Sequence, residues 1–464
     1  MQLTKNLKNK VKTEHRGLLV LLYTEIQELF GRFGITALLV LYLTKQLNFS
    51  DAHAFTIYSL FIAAIFVTPV IGGYIADRYF GFKNAIMIGG MIMTIGNLFL
   101  IYPANDSVMT GLTIVAIGSG LFTPSLAALL GRLYEDKEHK RERGFTLYYI
   151  CKNIGALLAP ILCGLVAHYY NYNYAFLLSA ISMASGVVVF AYGKKHLPSN
   201  HQRNATKVKQ TMLSKPIISR EKKQLVFVLL LTLFVVIFST CLGQGGTTLN
   251  LFIDRIIDRQ FFSFIIPTSF FYTLDPLFMI LIGPILTVFF VFMVRKNRAI
   301  STVGKFALGM FILAAGFLVF SAASIIASKI GHASMLFIVG AYFLFPIAEL
   351  CIMPVALAAV TRYAPKNLQA MMVGVFMLGQ ASAGYLTGVI SKVGNINFPV
   401  TNLPGLQHAA TIYLHLFVLT ASILCVTGIL LIILKPLLYK LVGKEDDFPA
   451  AFDETTPVTT ALEI

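Results

Sequence analysis

Twelve apolar runs near or above the roughly 20 residues that cross hydrocarbon recur along the chain, at about 17–43, 54–76, 84–103, 109–131, 144–168, 174–193, 224–249, 268–294, 302–328, 334–360, 367–391 and 408–434. Inside lipid every backbone N–H and C=O must find a partner within the protein, and a helix of this length supplies its own. The pattern therefore predicts an all-α, multi-pass membrane protein with 12 transmembrane helices. Composition leaves no room for a soluble globule: 57% of side chains are hydrophobic, 12% are charged, and mean hydropathy is +0.76.

The charges set an orientation. Cytoplasmic loops retain Lys and Arg, and with both termini inside, the segments on that face hold about 30 of the 37 basic residues. Both termini are thus expected in the cytoplasm of a protein seated in the cell membrane. The same asymmetry accounts for the net charge of +16, so no nucleic-acid partner is implied. The basic start is not a cleaved signal, because the run behind it is too long and carries Glu25, Glu28 and Arg32. Five cysteines, Cys151, Cys163, Cys241, Cys351 and Cys425, fall inside predicted spans without metal-type spacing and read as free buried thiols. No cofactor and no metal are expected.

A polar, basic stretch separates two sets of six spans. The expected division is a basic tail at 1–16, a six-helix bundle at 17–193, a cytoplasmic linker at 194–223, a second bundle at 224–442 and an acidic tail at 443–464. "PSLAALLGR" from Pro124 to Arg132 and "PVALAAVTR" from Pro354 to Arg362 occupy matching places in the two sets, which fits parallel repeats. Between the second and third spans, "GGYIADRYFGFKNA" puts Asp77 at a helix end, where a carboxylate can bind a neighbouring helix N-terminus, and Gly81 where the chain turns tightly. With Arg78 and Lys83, this arrangement resembles the cytoplasmic gate motif of the major facilitator superfamily, which implies that superfamily's fold of two six-helix halves.

A charge at mid-bilayer costs about 2.5–3.5 kcal/mol on insertion scales, so ionisable residues there normally face a water-filled cavity and serve function. At 100° per residue, Glu25, Glu28 and Arg32 share a sector of roughly 60° on one helix. Lys152, Asp275 and Glu349 add a base and two acids in other spans. Acids outnumber bases, and uncompensated carboxylates in low dielectric are candidate proton carriers. Plainer readings stay open: Glu28 and Arg32 can neutralise each other at i, i+4, and Lys152 can form a static pair with Asp275. Glu349, with no base in its own helix, is the hardest to explain as scaffold. His415 reads as structural. Pro124, Pro276 and Pro354 beside these charges weaken their helices locally.

Several stretches in order resemble the proton-coupled oligopeptide transporter family, over most of the chain. The helix-one motif E-x-x-E-R-F-x-Y-Y-G is echoed in Glu25, Glu28, Phe30 and Gly34, and the helix-five motif F-Y-x-x-I-N-x-G in Tyr149, Asn153 and Gly155. "GQGGTTLNLFIDR", with Gln244, "IPTSFFYTLDPLF", and Glu349 with Pro354 look like the corresponding later segments. The departures lie where that family binds substrate. Leu29 replaces the motif Arg, Arg32 and Phe33 its tyrosines, and Thr36 a second basic residue. Phe66 replaces a helix-two Tyr, Thr123 a Lys, Gly243 a Glu, Asp275 an Asn and Phe376 a Trp. Arg32 and Lys152 look like relocated cations.

The resemblance implies a secondary active symporter of di/tripeptides or peptide-like zwitterions, driven by protons through alternating access. Arg32 and Lys152 would take the substrate carboxylate, Glu349 and Asp275 its ammonium, with Asn153 and Gln244 in the same site. Glu25, Glu28 and Glu349 would couple protons, and Asp77, Arg78, Gly81 and Lys83 would form the gate motif. Partners are then a small zwitterion, protons and the lipid bilayer, and a monomer is expected. A carrier of an amino acid or modified amine, with or without proton drive, keeps the fold and changes the solute. A non-transporting sensor signalling through the acidic tail is a third reading. An enzyme is not expected, for want of any nucleophile or metal constellation.

Overall fold

The expected hydrophobic runs are helical and extend beyond their apolar cores. The computed structural model describes residues 2–134, 138–198, 219–296, 298, 300–364 and 368–442. In chain order the helices are α1 Gln2–Lys45, α2 Asp51–Ile75, α3 Phe82–Phe99, α4 Asn105–Leu133, α5 Glu138–Tyr169, α6 Tyr172–Gly193, α7 Ser219–Leu242 and α8 Thr248–Ile256. There follow α9 Thr268–Phe271, α10 Leu274–Arg295, α11 Thr302–Ile330, α12 Leu336–Tyr363, α13 Gln369–Ser391 and α14 Leu403–Val442. Among the described residues, twelve helical spans are long and apolar enough to cross a membrane. The expected linker at 194–223 is described only at its ends, and the expected tail at 443–464 lies outside the described residues.

Two spans are broken where the sequence weakens them. Between α7 and α8, "GQGG" (Gly243–Gly246) tightens into a 3-10 turn, because three glycines there weaken α-helical continuity. Pro276 falls in the first turn of α10, where its missing N–H is no loss. It starts that helix instead of bending it, whereas Pro124 and Pro354 stand inside α4 and α12. Ends are capped by side chains and glycine: Asn171 accepts the Tyr174 N–H at 3.0 Å, Ser301 the Gly304 N–H at 3.2 Å, and Gly331 closes α11 at φ 89°.

The chain divides into two compact units, one made of Met1–Asn48 and Ala64–Lys209, the other of Phe49–Ala63 and Gln210–Ile464. The division runs through α2, whose first half belongs to the second unit. Within the first unit, α3 and α4 meet through glycines, since lipid gives helices little hydrophobic reason to associate and backbones must approach closely. A Cβ on Gly118 would stand 2.7 Å from the Gly89 carbonyl oxygen, and one on Gly96 2.8 Å from that of Gly111. The second unit packs aromatic rings instead. Phe252 meets Phe417 edge-on at 5.0 Å, and Tyr413 stacks on Phe417 at 6.1 Å, joining α8 to α14.

The segment after α2 carries the expected gate motif. Ala76–Phe80 forms one π-helical turn, and Gly81 follows at φ 69°, ψ 153°, a region that only glycine adopts without strain. Among the described residues, Asp77 lies 3.9 Å from Arg132 in the last turn of α4, where a cation complements the helix dipole. Arg78 bonds the Tyr74 hydroxyl at 2.5 Å, and Lys83 donates to the carbonyls of Lys194 and Leu197 at 2.8 and 3.0 Å.

Candidate functional site

The first unit gathers four of the expected site residues. On α1, Glu25 and Glu28 are fully buried. Arg32 grips Glu28 Oε1 through Nε at 3.0 Å and a terminal nitrogen at 2.5 Å, the i, i+4 pair that the sequence allowed. Lys152 comes from α5 to within 3.9 Å of Glu25 Oε1 and is 38% exposed. Glu25 accepts no hydrogen bond on either oxygen, nor does Glu28 on Oε2, although all three atoms are buried. Two acids and two bases are thus held together with carboxylate acceptor capacity unused, a costly state that functional sites tolerate.

Tyr148, one helical turn before Lys152, was not expected here. It is buried, its hydroxyl stands beside the Glu25 carboxylate outside hydrogen-bonding geometry, and its ring centroid lies 5.8 Å from the Lys152 ammonium. The i, i+4 spacing from Lys152 was the signal available. Asn153 turns its amide back onto the Tyr149 carbonyl at 2.9 Å.

Gly155 makes the α1–α5 meeting possible. A Cβ there would stand 2.6 Å from the Ile26 carbonyl oxygen and 2.9 Å from the Leu29 Cβ. Gly155→Ala is expected to push the helices apart, cost about 1–3 kcal/mol as overpacking does, and take Lys152 out of reach of Glu25. The unfolding midpoint in detergent measures the first effect, and the loss of gradient response in uptake the second.

The second unit holds the other acids. Asp275 Oδ1 is buried without a hydrogen-bond partner, and Glu349, on the helix packed against α10, is close enough to feel its charge. Tyr342 lies near Asp275 and Tyr272, and Tyr272 bonds Tyr58 from α2. These phenols surround the "GQGG" turn, with the Tyr342 hydroxyl 3.6 Å from where a Cβ of Gly245 would stand. Gln244 points elsewhere: it donates to Thr420 at 2.9 Å and accepts from Thr248 at 3.2 Å. It braces the broken span against α14.

An ion pair in this unit also escaped sequence reasoning. Asp51, at the start of α2, is clasped by both terminal nitrogens of Arg255 at 2.6 and 2.7 Å and by the Ile396 N–H at 3.3 Å, while Arg255 also reaches the Tyr413 hydroxyl at 3.4 Å. Nothing local in the sequence links residues 204 positions apart. Among the described residues no group of His, Cys, Asp or Glu is arranged to hold a metal, and all five cysteines are free.

Comparison with known proteins agrees with this architecture. The chain is 27% identical over 440 residues to an uncharacterized transporter, YclF, of Bacillus subtilis (strain 168), covering 82% of this chain and 88% of that one. It is 26% identical to a di-/tripeptide transporter of Lactococcus lactis subsp. cremoris, covering 94% and 99%. Its fold superposes with TM-score 0.82, at 23% identity and covering 92% and 96%, on a crystal structure of a mutant peptide transporter POT in complex with alafosfalin. The family model of the Major Facilitator Superfamily matches residues 26–388. Twelve helical spans, a glycine-turned segment after α2 and this match over most of the chain place it in a family: it belongs to the major facilitator superfamily.

Proposed function

We propose that the chain is a secondary active transporter that moves small peptides or peptide-like zwitterions together with protons by alternating access. One observation carries the reading: Lys152, partly exposed, stands 3.9 Å from a Glu25 carboxylate that no hydrogen bond holds. Lys152 can leave Glu25 for a substrate carboxylate at the loss of a single ion pair. Glu25, then alone in low dielectric, is where a proton binds. Substrate and proton are tied through one shared cation. Arg32 and Glu28 offer the same exchange one turn further on, held more firmly by two hydrogen bonds. Asp275 and Glu349, in the second unit, form a separate cluster of negative charge. The Lactococcus relative's name supports the peptide class.

Both charges of such a zwitterion are expected to be required. Dialanine is expected to raise the unfolding midpoint of the purified protein, by an amount approaching 2.7 kcal/mol at about a hundredfold excess over its Kd. Dialanine amide and N-acetyl-dialanine, each lacking one charge, should have little effect. Equal stabilisation by all three would contradict the reading.

The acid pair favours one second reading. Two carboxylates near each other exceed what one ammonium neutralises, which suits an amino acid or amine bearing a second cationic group. In the same assay, arginine or a diamine stabilising more than dialanine would select that reading.

A further inference from the structure

Between α8 and α9 the chain forms a short finger. Strand β1 (Ile257–Asp258) pairs in parallel with β4 (Ala333–Ser334), and β2 (Gln260–Phe261) pairs antiparallel with β3 (Phe264–Ile265). Several of its polar groups bond one another. Arg259 donates to the Ile266 carbonyl at 2.9 Å and to Asp254 Oδ1 at 3.4 Å, and that oxygen also accepts from Thr268 at 3.0 Å. Ile266 N–H bonds the Arg259 carbonyl at 3.0 Å, Asp258 accepts the Gln260 N–H at 3.0 Å, and the Gln260 amide reaches the Phe262 carbonyl at 3.3 Å.

The apolar groups are exposed. Phe262 is 85% exposed, and Phe261 and Ile265 are each 52% exposed, the two rings meeting edge-on at 4.9 Å. Phe262 holds φ at +53°, a left-handed conformation that bulky residues seldom adopt. A short finger that displays two bare aromatic rings and an isoleucine beside two span ends offers apolar surface to a medium poorer in water than bulk solvent.

Such a medium is adjacent. The finger leaves one membrane-spanning segment at Ile256 and enters the next at Thr268. At about 3.3 Å per residue, the six residues from either helix end to Phe262 span at most about 20 Å, which keeps the tip within reach of the headgroup zone flanking the hydrocarbon. We propose that the finger inserts Phe261 and Phe262 into the interfacial lipid of the adjoining leaflet and anchors the shared end of α8 and α9 there. This inference is independent of the transported solute.

The chain contains no Trp, so Phe262→Trp and Phe261→Trp each create a single fluorescent probe at an exposed site. Each variant is reconstituted into phosphatidylcholine vesicles with or without lipids brominated near the headgroup end of the acyl chain. The expected result is emission blue-shifted from that of indole in water, most of its intensity lost to bromolipid, and little quenching by aqueous iodide. Water-like emission quenched by iodide and untouched by bromolipid would overturn the proposal. So would a probe quenched by neither, which would mean that protein covers the finger. An unchanged unfolding midpoint shows that each variant keeps its fold.

Discussion

Lys152→Gln is expected to abolish the response of uptake to a proton gradient and to lower stability by about 2 kcal/mol. Breaking a buried ion pair from one side usually costs about 3–5 kcal/mol. Here Lys152 is 38% exposed, so solvent already screens the pair and the cost is smaller. The penalty falls on Glu25, which is fully buried and accepts no hydrogen bond, with the Tyr148 hydroxyl as a neighbouring donor. The groups facing it are Glu28 and Arg32 on its own helix and Tyr148, Cys151 and Lys152 on α5. With Lys152 gone, Glu25 keeps its charge at a cost or holds a proton throughout the cycle, and neither state reports the gradient. Glu25→Gln with Lys152→Gln removes both charges and should recover most of the stability and none of the coupling. Denaturation in detergent and gradient-driven uptake separate the two effects; a single variant that still concentrates substrate down a proton gradient would exclude Lys152 from coupling.

The largest loss of stability is expected at the other ion pair. Asp51→Asn should cost about 3 kcal/mol, because the partly buried Arg255 guanidinium loses its counter-charge and one of the two oxygens it grips, keeping one amide oxygen and the Tyr413 hydroxyl as acceptors. Side-chain exposure of 4% for Asp51 and 21% for Arg255 leaves little water to compensate. Asp51→Asn combined with Arg255→Gln should lie nearer the parent than either single variant. Exchanging the two charges should not restore stability, since the Ile396 N–H requires an acceptor at position 51. A double-mutant cycle on the unfolding free energy would give a coupling of about 2 kcal/mol or more if the pair acts as the geometry indicates. Additive effects would mean that water substitutes freely.

What was legible in the chain follows from what lipid demands. The twelve spans could be read because hydrocarbon forces long apolar helices, and the shared face of Glu25, Glu28 and Arg32 because the helix repeat is fixed. Breaks within spans were less visible: "GQGG" interrupts what reads as one run, and Pro276 opens a helix instead of bending one. Partners across helices were not legible. Lys152 had Asp275 as an equal prospect on charge alone, and only the close passage of α5 at Gly155 brings it to Glu25. Tyr148 was within reach of a spacing argument, one turn from Lys152. Asp51 and Arg255 were not, since their meeting depends on tertiary structure that brings the start of α2 beside the end of α8. Gln244 shows the converse: a residue placed in the site by resemblance uses its amide to join α14 to the broken span.

The central claim is that substrate movement and proton movement are coupled through the charges of α1 and α5. Uptake of labelled dialanine into proteoliposomes, with and without an inward proton gradient, tests it most directly. Accumulation above equilibrium only when the gradient is present is the predicted result. Dialanine entry that merely equilibrates, at the same rate with and without the gradient, would contradict it.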